Sequence, residues 1–94
     1  MLQNYVVRTQ NAGVFFGEIK ERNGSEVTMT NVRRLWKWAG ATECIGLATH
    51  GTTKPQECKF TVCVDELIIF GVIEIIPCTD ESVKSLSEVK GWKV

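Results

Sequence analysis

The dipeptide Asn23-Gly24 limits what this chain can fold into more than any other feature. Asn-Gly readily enters the left-handed backbone region that a two-residue type I′ turn requires, and such a turn matches the twist of the strands it joins. Both flanks suit it. Val14-Phe15-Phe16-Gly17-Glu18-Ile19-Lys20 runs in and Glu26-Val27-Thr28-Met29-Thr30 runs out, each rich in strand formers. An antiparallel hairpin is therefore expected. Gly17 inside the first strand predicts a bulge, or a point where another backbone or a ligand comes close.

Further elements follow from local signals. Tyr5 to Thr9 is a short β-rich run, and Phe60-Thr61-Val62-Cys63-Val64 alternates as a half-buried strand. Leu67 to Ile76 is the most apolar stretch, a long or twice-used strand interrupted near Gly71 and ended by Pro77. Ala41 to Gly51 reads as a short helix with Thr42 as N-cap, Gly51 at its end and Gly46 weakening its middle. Thr79-Asp80-Glu81-Ser82 begins a final helix, with Val83 and Leu86 on its inner face. The sum is one α+β domain over residues 1–94. It holds five or six mainly antiparallel strands in a curved sheet or partly open barrel, with two short helices.

Composition narrows the function. Eleven basic residues balance eleven acidic ones, which argues against a general electrostatic grip on nucleic acid. No apolar run approaches the roughly 18 residues of a membrane span, and the start lacks a signal peptide, so a cytoplasmic location is expected. Cys44, Cys58, Cys63 and Cys78 form no Cys-x-x-Cys pair and His50 stands alone, so no metal or cofactor is expected and the cysteines read as small core residues. No nucleophile elbow, phosphate loop or zinc-protease motif is present, and the protein is not expected to be an enzyme. Glu74, set within the apolar run, calls for a partner such as Arg8, Arg33 or Arg34, unless it is a catalytic carboxylate of raised pKa.

The stretch Asn31 to Ala41, NVRRLWKWAGA, raises the functional question most directly. If extended, it sends Arg34, Trp36 and Trp38 to one face and Arg33, Leu35 and Lys37 to the other. If helical, Arg33 and Lys37 share a side and the tryptophans divide between core and rim. Arginine offers a planar fork for phosphate and tryptophan a π face for a nucleobase. The same residues are enriched at protein interfaces, and tryptophan beside arginine also packs simply as core.

End to end, the chain resembles a family of small uncharacterised proteins of tailed phages and prophages. The resemblance rests on Arg8-Thr9, Ala12-Gly13-Val14-Phe15 with Gly17, Glu26-Val27-Thr28, Leu47-Ala48, Gly51, Pro55, Cys58-Lys59-Phe60, Val72-Ile73-Glu74-Ile75 and Trp92-Lys93. The segment Arg33-Arg34-Leu35-Trp36-Lys37-Trp38-Ala39-Gly40-Ala41 is its most specific part. Lys37 stands where the family usually has an aromatic, and Glu43-Cys44-Ile45-Gly46 replaces a Ser-Leu-Ser-Gln-like stretch. A phage setting implies a non-enzymatic protein that binds a host component. By analogy with phage sponges of host immune signals, it implies a homo-oligomer that sequesters a cyclic nucleotide or ADP-ribose derivative. Arg33 and Arg34 would hold phosphate, Trp36 and Trp38 would frame the base, and Arg8 would assist. The alternative is an interaction module that binds a host or phage protein through the same surface.

Overall fold

The hairpin forms at the expected place but its turn lies one residue on: Asn23 still pairs with Glu26, so the two-residue loop is Gly24-Ser25, and of these residues only Gly24, at φ +64°, is left-handed. In the computed structural model, which describes residues 3–38, 40 and 43–91, it joins the two longest strands. The elements are β1 (Asn4–Thr9), β2 (Val14–Asn23), β3 (Glu26–Lys37), α1 (Cys44–His50), a 3₁₀ turn (Pro55–Glu57), β4 (Lys59–Phe60), β5 (Val64–Ile69), β6 (Val72–Pro77) and α2 (Asp80–Glu88). All pairings between strands are antiparallel. The sheet runs β4-β3-β2-β1-β6, with β5 also on β3, and it does not close. The apolar run is used twice. Gly71, at φ +75°, reverses the chain between β5 and β6, and the Val72 amide donates to Ser25 O at 3.0 Å to hold β6 against the hairpin tip.

The expected strand Phe60–Val64 does not form as one piece. Phe60 pairs with Leu35 and Val64 with Val32, so the segment from Phe60 to Val64 has one residue more than β3 across this interval. The surplus interrupts the ladder at residues 61–63, where Thr61 still donates its amide to Arg34 O at 3.0 Å. The helix expected from Ala41 begins at Cys44, with Glu43 in the N-cap position; the proposed cap Thr42 lies outside the described residues. Thr79 does cap α2, its hydroxyl accepting from the Ser82 amide at 3.1 Å.

Both faces of the sheet are covered. On one, Val6, Phe16, Leu35 and Phe60 pack under α1 and α2 with Cys44, Leu47, Cys58, Cys78 and Leu86. On the other, the curl of the sheet brings Val7, Phe15, Val27, Met29, Val32 and Ile69 together. Three cysteines are thus core residues as expected, while Cys63 is exposed. The helices are tied to each other by Ser82 Oγ, which donates to Leu47 O at 2.6 Å, and by Thr79 Oγ1, which donates to Thr49 O at 2.6 Å.

One strand feeds both clusters because of a bulge. Phe16 faces Arg33 but Glu18 faces Thr30, so Gly17 opposes two residues of β3, and Asn31 there takes φ +46°. Before it, Val27 and Met29 point into the curl; after it, Val32 takes that side and Leu35 turns to the helices. The bulge also strengthens the local twist. A Cβ at Gly17 would stand 2.8 Å from Val32 Cα and 2.9 Å from Asn31 O. Gly17→Ala is therefore expected to destabilise the fold by about 1–3 kcal/mol, read as a lowered urea midpoint.

Candidate functional site

The stretch from Arg33 to Lys37 is strand, and its two arginines part company. Arg34, opposite Phe15, lies on the curled face with its guanidinium 5.1 Å from the Phe15 ring and is exposed. Arg33 goes inward to the helical face and is only 4% exposed. Its Nε donates to Thr61 O at 2.9 Å, its Nη1 to Leu86 O at 3.1 Å and Val89 O at 2.8 Å, and its plane lies 5.3 Å from the Phe60 ring. These acceptors include carbonyls at the C-terminal end of α2, where the helix dipole favours a cation. Burial pushes the Arg33 pKa down, with Cys63 acting the other way, but an arginine stays charged. Arg33 is thus committed to the fold and not placed to meet a ligand from solvent.

Trp36 and Trp38 do not share a face. Leu35 pairs with Phe60 but Lys37 with Lys59, a register shift that puts a bulge at Trp36 and breaks the alternation. Trp36 is 56% exposed, with Lys59 Nζ 5.4 Å from its ring. Trp38, half-buried, packs against the cluster beneath the helices.

Trp38 meets a different arginine. Arg8 on β1 pairs across the ladder with Glu74 on β6, and Nη1 lies 3.7 Å from Oε1. Glu74 is half-exposed at the sheet's margin and not the buried carboxylate its apolar neighbours suggested. Arg8, Val14, Trp38, Glu43, Cys44 and Glu74 line one cleft of about 270 Å³. Glu43 also lines a shallower depression of about 410 Å³ along α1 with Ile45, Gly46, Thr49 and His50. Within the cleft, burial raises the Cys44 pKa, Arg8 lowers it, and Glu74 and Glu43 raise it. The thiol stays protonated and serves as a neutral wall, a poor nucleophile.

The profile of a family described as "Domain of unknown function (DUF6948)" matches residues 2–86. The chain belongs to that family. Compared with curated proteins and with solved structures, it has no significant match to either.

Of the five site residues expected in this DUF6948 domain, the fold brings Arg8 and Trp38 into one cleft, buries Arg33, and leaves Arg34 and Trp36 outside it. Sequence reasoning missed Val14 as a lining residue, and it marked Glu43 and Cys44 only as part of a departure from the family pattern. Glu43 was otherwise visible as an acid at the start of the expected helix, and nothing local ties it to position 8 or 38. Several large apolar side chains outside the cleft are exposed: Val62, Val64, Ile68, Phe70 and Ile73 are each 43–65% exposed. Among the described residues no helix is long and apolar enough to cross a membrane.

Arg33→Lys removes the fork that serves three carbonyls at once, and it is expected to cost about 2 kcal/mol or more in chemical denaturation. Arg34→Gln, by contrast, removes only a rim contact and is expected to shift stability by less than about 1 kcal/mol.

Proposed function

We propose that the protein is a non-enzymatic binding protein, of phage or prophage origin, that holds a nucleotide-type ligand in the Arg8–Trp38 cleft. The observation that supports this reading is the meeting of a cation and a half-buried indole, 30 residues apart, in a single cleft. Arginine binds phosphate through paired N–H donors, and an indole face stacks on a base. In the host cytoplasm during infection, such a protein would sequester a signalling nucleotide rather than convert it. The cleft's formal charge sets a limit: one guanidinium faces two carboxylates. A ligand with a single phosphate at Arg8 fits this better than a polyphosphate, which would face net repulsion.

A second reading is favoured by the exposed apolar side chains of the β5–β6 corner and by the exposed Trp36 of β3, which Lys59 of β4 meets at 5.4 Å. Large exposed apolar groups of this kind mark protein contacts, either between copies in a homo-oligomer or with a host protein.

Titration calorimetry against cyclic di- and trinucleotides, mononucleotides and ADP-ribose derivatives separates the two. The expected outcome is micromolar binding by one class, lost in Arg8→Gln and Trp38→Ala and kept in Trp36→Ala. Absence of binding across the panel, with ligand-independent capture of a host protein lost in Trp36→Ala, would establish the second reading instead.

A further inference from the structure

Glu43 differs from the other charged residues of the cleft. Glu74 is held on β6 and engaged by Arg8 across the ladder, so its carboxylate positions the guanidinium. Glu43 has no such task. It occupies the N-cap position of α1 with extended backbone, φ −163° and ψ −175°, yet its side chain makes no capping hydrogen bond. It is exposed and has no ion-pair partner among the described residues. It nonetheless lines the cleft beside Trp38 and Arg8 and also the depression along α1. An ionised carboxylate is an acceptor only, with two oxygens able to take a pair of donors side by side.

We infer that Glu43 makes the cleft selective for guanine. This rests on the nucleotide reading above and adds the base. With the base against Trp38 and a phosphate at Arg8, the edge that meets Glu43 must supply donors. Guanine presents two adjacent ones, the ring N1–H and the exocyclic amino group, which match the two carboxylate oxygens. Adenine and cytosine each present an amino donor beside an unprotonated ring nitrogen, whose lone pair would oppose the second oxygen. Uracil presents one N–H flanked by two carbonyls. Both alternatives set acceptor against acceptor, an arrangement that costs affinity because the buried oxygen loses water without gaining a donor. The uneven charge of the cleft fits the same ligand, since a donor-rich base satisfies the acidic side while one phosphate satisfies the basic side.

The test is calorimetry of the full chain with guanosine, adenosine, cytidine and uridine 5′-monophosphates, and with guanosine alone. Guanosine monophosphate is expected to bind about tenfold or more tightly than the other three, the discrimination of one good bidentate contact. Glu43→Gln should lower its affinity by about the same factor and level the four bases, with an unchanged unfolding midpoint. Arg8→Gln should instead bring guanosine monophosphate down to the level of guanosine while keeping the preference for guanine. Equal binding of all four by the unaltered protein, or a guanine preference that survives in Glu43→Gln, overturns the role of Glu43 and leaves the nucleotide reading standing. No binding of any of them at millimolar concentration overturns the guanine inference, and the nucleotide reading falls with it if the cyclic nucleotides and ADP-ribose derivatives also fail to bind.

Discussion

The hydrogen bonds of Arg33 hold the layers of this protein together. The residue leaves β3 toward the helices, carries a charge into a region almost closed to water, and offsets the cost with three backbone carbonyls and an aromatic face. Among the described residues no carboxylate shares the site; the acceptors are Thr61, Leu86 and Val89, two of them at the end of α2. One side chain thereby fastens α2 to the sheet and fixes the irregular segment after β4. Because α1 is bonded to α2 through Ser82 and Thr79, its position follows. Glu43 and Cys44 stand at the start of α1, so the wall of the cleft is set, at two removes, by a residue that never touches it.

That arrangement explains why the conspicuous cluster and the candidate site differ. Crowded arginine and tryptophan drew attention to residues 33–38, yet the segment divides its labour. Arg33 serves the core, Arg34 covers Phe15, Trp36 faces solvent beside Lys59, and Trp38 alone contributes to the cleft. The cation that joins Trp38 comes from β1. The cleft is thus assembled from four separate strands or strand ends and the start of a helix, which is typical of sites placed at the margin of a sheet and not along one motif.

What the sequence revealed, and what it hid, follows the range of the forces involved. The Thr79 cap and the break at Gly71 depend on backbone preferences of one or two residues and are found where they were expected, while the hairpin turn falls one residue past Asn23-Gly24, at Gly24-Ser25. The opposed directions of Arg33 and Arg34 follow from strand alternation, which the sequence offered only as one of two readings of this stretch, strand or helix. The bulge at Trp36 was not, because it arises from how β4 meets β3 and from no residue preference within the strand. The broken Phe60–Val64 strand has the same origin, a surplus residue against a neighbour. Glu74 did find a partner among the three arginines considered, but its exposure depended on β6 lying at the sheet's edge. The grouping of positions 8, 38, 43 and 74 needed the whole strand order.

The pairing of β1 with β6 also bears on the order in which this protein can be made. Tyr5 reaches its partner Pro77 only after nearly the whole chain separating them has been synthesised. As the chain emerges from a ribosome, β1, β2 and β3 can assemble early through adjacent reversals, yet one margin of β1 stays open until β6 arrives. Nascent chains therefore pass through a stage with an unpaired apolar edge, when contact with a neighbour competes with completion of the fold. Because Arg8 lies on that edge, the ion pair with Glu74 forms only as the waiting ends.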